Sequence, residues 1–301
     1  VRHVEGQFAG VGDLEIYWQA WLGDGERRAT VVIAHGASEH GGRYGHVVEE
    51  LVPAGYGVYA IDHRGHGRSG GRRAVIDRLA YAVADLDTLI DLVTQEDDGR
   101  RPYLLGHSMG GCIAIAYALE HQAKLAGLVL SAPLAILKAS APQRAVVRVL
   151  SALAPGLGVT GISTETISRD PEEVREYEQD PLVFHGKLQA RTALELADAA
   201  TTFPTDVARL TLPLLVMHGG ADRLVPPASG KMIYARAGSQ EKTLKLYEGF
   251  YHELFNEPRA DRARALEDLR AWLDERVEPG ASADVERSDE LSGPPAAVQG
   301  S

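Results

Sequence analysis

The feature that most restricts what this chain can fold into is a series of short runs, apolar at nearly every position, with helical stretches between them. They fall at 30–34, 57–61, 103–106, 125–130, 214–218 and 243–246 and are rich in Val, Ile and Leu. A strand with one wet face alternates apolar and polar residues, so a run without that alternation reads as a strand covered on both faces. Helical patterns at 44–51, 78–95, 110–121, 227–237 and 259–276 supply the covering layers. This alternation predicts an α/β fold with a mostly parallel, doubly wound sheet. Ahead of it, residues 8–21 hold Gly10 and Gly12 between semi-alternating runs, as expected of an antiparallel hairpin at a sheet edge.

The alternation stops after Ser131-Ala132-Pro133 and resumes near Leu214, leaving about 80 residues of mainly helical character. The expected organisation is a doubly wound core at 1–133 and 212–277, with a helical cap at 134–211 inserted after the sixth strand. Within the insertion lies an apolar stretch at 146–157, broken by Pro155 and Gly156. A polar helix start, Ser168-Arg169-Asp170-Pro171-Glu172, follows, with a capping candidate and acidic residues suited to a helix N-terminus. Ligands of doubly wound sheets bind outside the carboxyl ends of the strands, where such an excursion would sit as a lid. Residues 278–301 are acidic and rich in Ser, Gly, Pro and Ala, and are expected to be disordered.

Bulk properties narrow the class of function. Of 301 residues, 45% are hydrophobic and 24% charged, near the average for soluble globular chains. A net charge of −11 offers no basic footprint for nucleic acid and disfavours long-range attraction to anionic lipid. The single cysteine, Cys112, cannot form an internal disulfide, and no cysteine cluster suggests zinc. The first ten residues lack the pattern of a secretory leader, and no run of 18 apolar residues follows. The expected location is the cytoplasm.

The chemistry concentrates in Gly106-His107-Ser108-Met109-Gly110, a G-x-S-x-G motif between a strand and a helix. The glycines permit a sharp turn that exposes Ser108 as nucleophile, and the Met109 amide at the helix start can stabilise an oxyanion. A serine hydroxyl needs a base, and the base needs an orienting group. Asp222 and His252 each follow a later strand, in the order serine, acid, histidine that this fold uses. The second oxyanion donor is expected from His35-Gly36-Ala37-Ser38-Glu39-His40, as the Ala37 amide. Glu39, His40 and Arg43 fit either a substrate role or a solvated loop with a Glu39–Arg43 ion pair. For His35, His63, His66 and His107, loop-stabilising roles are favoured over metal binding. Asp62, at a strand end before His63-Arg64-Gly65-His66-Gly67-Arg68-Ser69, is expected to tie neighbouring loops together.

These motifs, with Ala221-Asp222-Arg223-Leu224, resemble those of monoacylglycerol lipases among the serine aminopeptidase-like and lysophospholipase-like hydrolases. The likeness extends through Ile167-Ser168-Arg169-Asp170-Pro171, Tyr177, Asp180-Pro181-Leu182 and the run from Lys242 to Gly249 before Tyr251-His252-Glu253. It covers roughly residues 8–277 and is nearest the actinobacterial type. The resemblance implies hydrolysis of monoacylglycerols to fatty acid and glycerol without metal or cofactor. It further implies that Glu39 and Tyr177 hold the glycerol end, and that a cap helix at about 144–157 lines the acyl tunnel and can touch lipid surfaces, a peripheral membrane contact. The same apolar helix could instead form a homodimer contact. The chain departs from the family pattern at Ser38, where Gly is common. The competing readings are a lysophospholipase or broad-specificity carboxylesterase using the same triad, and a catalytically silent ligand-binding fold.

Overall fold

The computed structural model describes residues 1–137 and 141–277; the acidic tail expected at 278–301 lies outside the described residues. The chain opens with a hairpin of β1 (Arg2–Ala9) and β2 (Glu15–Leu22), closed by a turn in which the Gly10 amide donates to the Leu14 carbonyl at 2.7 Å. The hairpin is longer than its pattern suggests. Only 8–21 alternate clearly, because β1 is the outermost strand and is half exposed along its length.

There follow β3 (Ala29–Ala34), α1 (Gly45–Leu51), β4 (Tyr56–Ile61), α2 (Leu79–Glu96), β5 (Tyr103–His107), α3 (Met109–His121) and β6 (Gly127–Ser131). The chain then leaves the sheet for α4 (Ala141–Leu153), β7 (Gly158–Thr160), α5 (Pro171–Gln179), β8 (Leu188–Gln189) and α6 (Ala190–Asp206). It returns as β9 (Leu214–Gly219), α7 (Ala228–Arg236), β10 (Lys242–Tyr247) and α8 (Arg259–Asp274).

The sheet has eight strands in the order β1-β2-β4-β3-β5-β6-β9-β10. β1, β2 and β4 pair antiparallel, and the remaining pairs are parallel. Why its strands read as unbroken apolar runs is visible in β3. Val32 and Ala34 join the core under α2, α3, α6 and α7, while Val31 and Ile33 join the core under α1 and α8. Successive side chains thus leave opposite faces into two separate cores, so the strand is apolar on both faces apart from Thr30, whose hydroxyl donates to Asp97.

The excursion contains one element that the sequence pattern gave no sign of, the short antiparallel pair β7–β8. Its α5 starts as the polar motif predicts: Asp170 caps it by accepting from the Glu172 amide at 3.0 Å, with Pro171 opening the helix and Glu172 and Glu173 in the first turn. The stretch before α5 is fastened to the core. Ser168 Oγ donates to the Asn256 carbonyl at 2.6 Å, and the Glu253 amide donates to the Ile167 carbonyl at 2.8 Å. α6 packs against both α3 and α7.

Candidate active site

The turn from β5 into α3 is tight because its glycines leave no room for side chains. A Cβ on Gly106 would meet Ala114 Cβ and the Gly110 carbonyl at 2.6 Å, and one on Gly110 would run into the backbone of Ala34 and His35. At the apex Ser108 takes φ 52° and ψ −114°, a conformation costly for a residue with a side chain. It is held there by hydrogen bonds on both sides: its amide donates to the Ser131 carbonyl, and its carbonyl accepts from Leu134, both at 3.0 Å. The Ser108 hydroxyl makes no capping bond to α3, although it stands at the cap position. The nucleophile candidate is therefore not consumed by local structure.

His252 and Asp222 come from the loops after β10 and β9, adjacent parallel strands. His252 Nδ1 lies 2.7 Å from Asp222 Oδ2. The other carboxylate oxygen accepts from the Leu224 and Val225 amides at 2.8 and 2.9 Å. Burial alone would raise the Asp222 pKa, but the His252 charge and hydrogen bonds from His218, His252 and Val225 carry it well below the usual carboxylate range. Burial works to lower the His252 pKa, and the Asp222 charge and hydrogen bond reverse this, with Glu253 and Glu39 adding to the rise. A raised imidazole pKa beside an ionised carboxylate gives a stronger general base.

His218, at the end of β9, also reaches this pair, its Nε2 3.2 Å from Asp222 Oδ2. In the sequence it stands only as the last residue of an apolar strand run. Its spacing of four residues from an acid beyond a strand end was the available signal.

The loop after β3 brings Ala37 to the same cavity wall as Met109. Among the described residues neither backbone amide has a protein hydrogen-bond partner. The loop is braced from several sides. Gly36 N donates to Glu39 Oε1, and His35 joins the Gly36 carbonyl through Nδ1 at 2.7 Å and the His63 amide through Nε2 at 2.9 Å. Ser38 O accepts from the Phe184 amide at 2.7 Å, linking the loop to the excursion. Ser38 itself has φ 69°, the conformation that favours the glycine common at this position in the resembling family.

Glu39 is buried and fully engaged. Besides Gly36 it accepts from Tyr44 and Arg43, both at 2.9 Å. Arg43 also forms a two-pronged pair with Glu253 at 2.8 Å on each prong. Burial raises the Glu39 pKa, whereas Glu253, with the stronger share of Arg43, is held down to about 2 against its own burial. One guanidinium thus clamps two carboxylates from different loops, with the ring of Tyr177 from α5 lying 4.7 Å from it. The Glu39–Arg43 ion pair of the solvated-loop alternative is present, but it is buried rather than solvated; its extension to Glu253 and Tyr177 carried no sequence signal, the Arg43–Glu253 partners being 210 residues apart.

Asp62 and His66 bond to loop backbone, whereas neither ring nitrogen of buried His63 has a hydrogen-bond partner among the described residues. His63 and His66 are buried, their pKa values pushed down to about 3 and about 4 by burial. Asp62 accepts from the Gly41 and Arg68 amides, both at 2.8 Å. Among the described residues no group of three His, Cys, Asp or Glu side chains is arranged to hold a metal ion. His107 packs its ring against His252, centroids 4.7 Å apart.

Ser108, His252, Glu39, Tyr177, Ala37 and Met109 all open onto one cavity of about 360 Å³. Its walls are otherwise mostly apolar, with Leu134, Leu137, Ile162, Ile167, Leu188 and Leu196 among them, several drawn from the excursion. The size and lining suit a small molecule that is apolar over most of its length.

The sheet order, the serine elbow and the acid and histidine after later strands define an α/β-hydrolase, and the chain is a hydrolase. The chain belongs to the serine aminopeptidase S33 family, whose profile matches residues 25–259. Among its relatives, it is 42% identical to a monoacylglycerol lipase of Mycolicibacterium smegmatis over 271 residues, covering 89% of this chain and 96% of that one. It is 33% identical to the monoglyceride lipase of Homo sapiens, with 89% of each covered. The crystal structure of a Paleococcus ferrophilus monoacylglycerol lipase superposes with a TM-score of 0.78 at 31% identity, covering 87% of this chain and 99% of that one.

Proposed function

We propose that the chain hydrolyses monoacylglycerols to free fatty acid and glycerol through an acyl-enzyme on Ser108. The observation that carries this is the largely apolar cavity opening onto Ser108, with Glu39 and Tyr177 in its lining, both held by Arg43. In the first step His252 takes the Ser108 proton as the hydroxyl oxygen attacks the ester carbonyl. The tetrahedral oxyanion accepts from the Ala37 and Met109 amides, each worth roughly 3 kcal/mol in comparable sites. Glycerol leaves with the proton returned by His252. Water, deprotonated by the same histidine, then attacks the acyl carbonyl, and Ser108 leaves reprotonated with the fatty acid released. Asp222 orients His252 throughout and stabilises its charged form. Glu39 and Tyr177 border the end of the site that would take glycerol.

Residues 134–211 act in this reading as a cap over a core of 1–133 and 212–277. On α4, Val146, Val149 and Leu153 are 58%, 56% and 80% exposed and fall three and four residues apart, on one face. That face supports peripheral contact with a lipid surface, which would deliver a substrate poorly soluble in water, from an enzyme in the cytoplasm. No helix among the described residues is long and apolar enough to cross a membrane.

Rates on monoolein, lysophosphatidylcholine and short p-nitrophenyl esters test the substrate. Preference for monoolein is expected. Preference for the lysophospholipid or the short esters would replace monoacylglycerol as substrate while keeping the chemistry, and failure to react with a fluorophosphonate probe would overturn the chemistry itself.

A further inference from the structure

His218 is fully buried at the end of β9, with Nε2 3.0 Å from the Val225 carbonyl and 3.2 Å from Asp222 Oδ2. Both neighbours are acceptors, so Nε2 carries a proton, donated to the Val225 carbonyl with Asp222 Oδ2 in contact beside it. Nδ1 has no hydrogen-bond partner, and a Cβ on Gly230 of α7 would lie 2.9 Å from it. A proton on Nδ1 would therefore be buried with nothing to accept it. Asp222 Oδ2 receives the His252 N–H at 2.7 Å and has His218 Nε2 in contact at 3.2 Å, while Oδ1 takes two backbone amides.

We propose that His218 is a positioning residue for the hydrolytic reaction: through Asp222 Oδ2 it fixes the carboxylate and limits how far that carboxylate strengthens His252 as a base. This rests on the Ser108, His252 and Asp222 reading. A second donor on Oδ2 draws off charge that would otherwise stabilise a protonated His252. The other groups facing His252 are His107, packed on its ring, Glu253 beside it, Glu39 with Arg43 across from it, and Arg223 on the cavity wall. All of these border the cavity or the Arg43 clamp. His218 and Asp222 do not line the cavity, so a change at His218 alters the base without removing a contact to substrate.

The test is the pH dependence of kcat/KM on p-nitrophenyl butyrate for wild type, His218→Leu, His218→Gln and Ser108→Ala, with active sites counted by fluorophosphonate titration. In His218→Leu the acid limb is expected to move upward by roughly half to one pH unit, since the carboxylate then serves His252 alone. His218→Gln, which restores an N–H donor, should keep the wild-type limb. An unmoved limb in His218→Leu, or an equal shift in both variants, would overturn the proposal and leave His218 a structural residue. Should His218→Leu fail to fold, nitrogen-15 spectra of histidine-labelled wild type decide. A proton on Nε2 of His218 is expected, and a proton on Nδ1 contradicts the proposal. Continued hydrolysis by Ser108→Ala would instead bring down the triad reading, whatever the limb does.

Discussion

Ser38 sits at φ 69°, where a Cβ crowds the neighbouring carbonyl, and its buried hydroxyl has no hydrogen-bond partner. Ser38→Gly should therefore stabilise the protein by about 1 kcal/mol after the extra entropy of its unfolded chain is counted, raising the thermal midpoint by about 2–4 °C. A lower midpoint in calorimetry would contradict the strain. His252 gives a prediction in pH. Its pKa is raised above 6.5, and only the unprotonated ring can take the Ser108 proton. Activity should fall as pH drops through that raised value, so the acid limb of kcat/KM should lie above pH 6.5. A limb below it would mean that burial outweighs Asp222. At this scale Ser108, Asp222 and His252 were legible in the sequence, because each stands just beyond a strand end and the glycines mark the elbow. Glu253 was not, because its pairing with Arg43 joins loops 210 residues apart, whereas His218 left only its four-residue spacing from Asp222 as a signal.

The strands were legible for the reason shown by β3, where Val31 and Val32 point into different cores. That reason fails at the margins. β1 carries Arg2 and Glu5 on a half-exposed edge, where burial imposes little pattern, and charges there also discourage pairing with another chain. β7 and β8 span three and two residues, too few for any periodicity. Between elements, the decisive feature is the clamp of Arg43 on Glu39 and Glu253, which joins the loops after β3 and β10. Arg43→Leu would leave two buried carboxylates without their cation. It should cost about 3–5 kcal/mol in urea unfolding, the usual result of removing one partner from a buried charge network. A loss under about 1 kcal/mol would mean that water reaches these groups freely.

For the whole molecule, the feature to explain is the exposed apolar face of α4, formed by Val146, Val149 and Leu153. With a net charge of −11, the lipid contact proposed for this face would rest on apolar contact rather than on anionic headgroups. Val149→Glu with Leu153→Glu should weaken binding to phosphatidylcholine vesicles by about tenfold or more while leaving turnover of a short soluble ester. Equal vesicle binding, accompanied by loss of a dimer in sedimentation, would assign the face to self-association instead. The ester proposed for attack by Ser108 is that of a monoacylglycerol. That assignment is tested most directly by measuring glycerol and fatty acid release from monoacylglycerols and from the matching di- and triacylglycerols, with wild type and Ser108→Ala. The account predicts fast release confined to the monoacyl compounds and abolished in Ser108→Ala; turnover that survives in the variant, or that favours the di- and triacylglycerols, would contradict it.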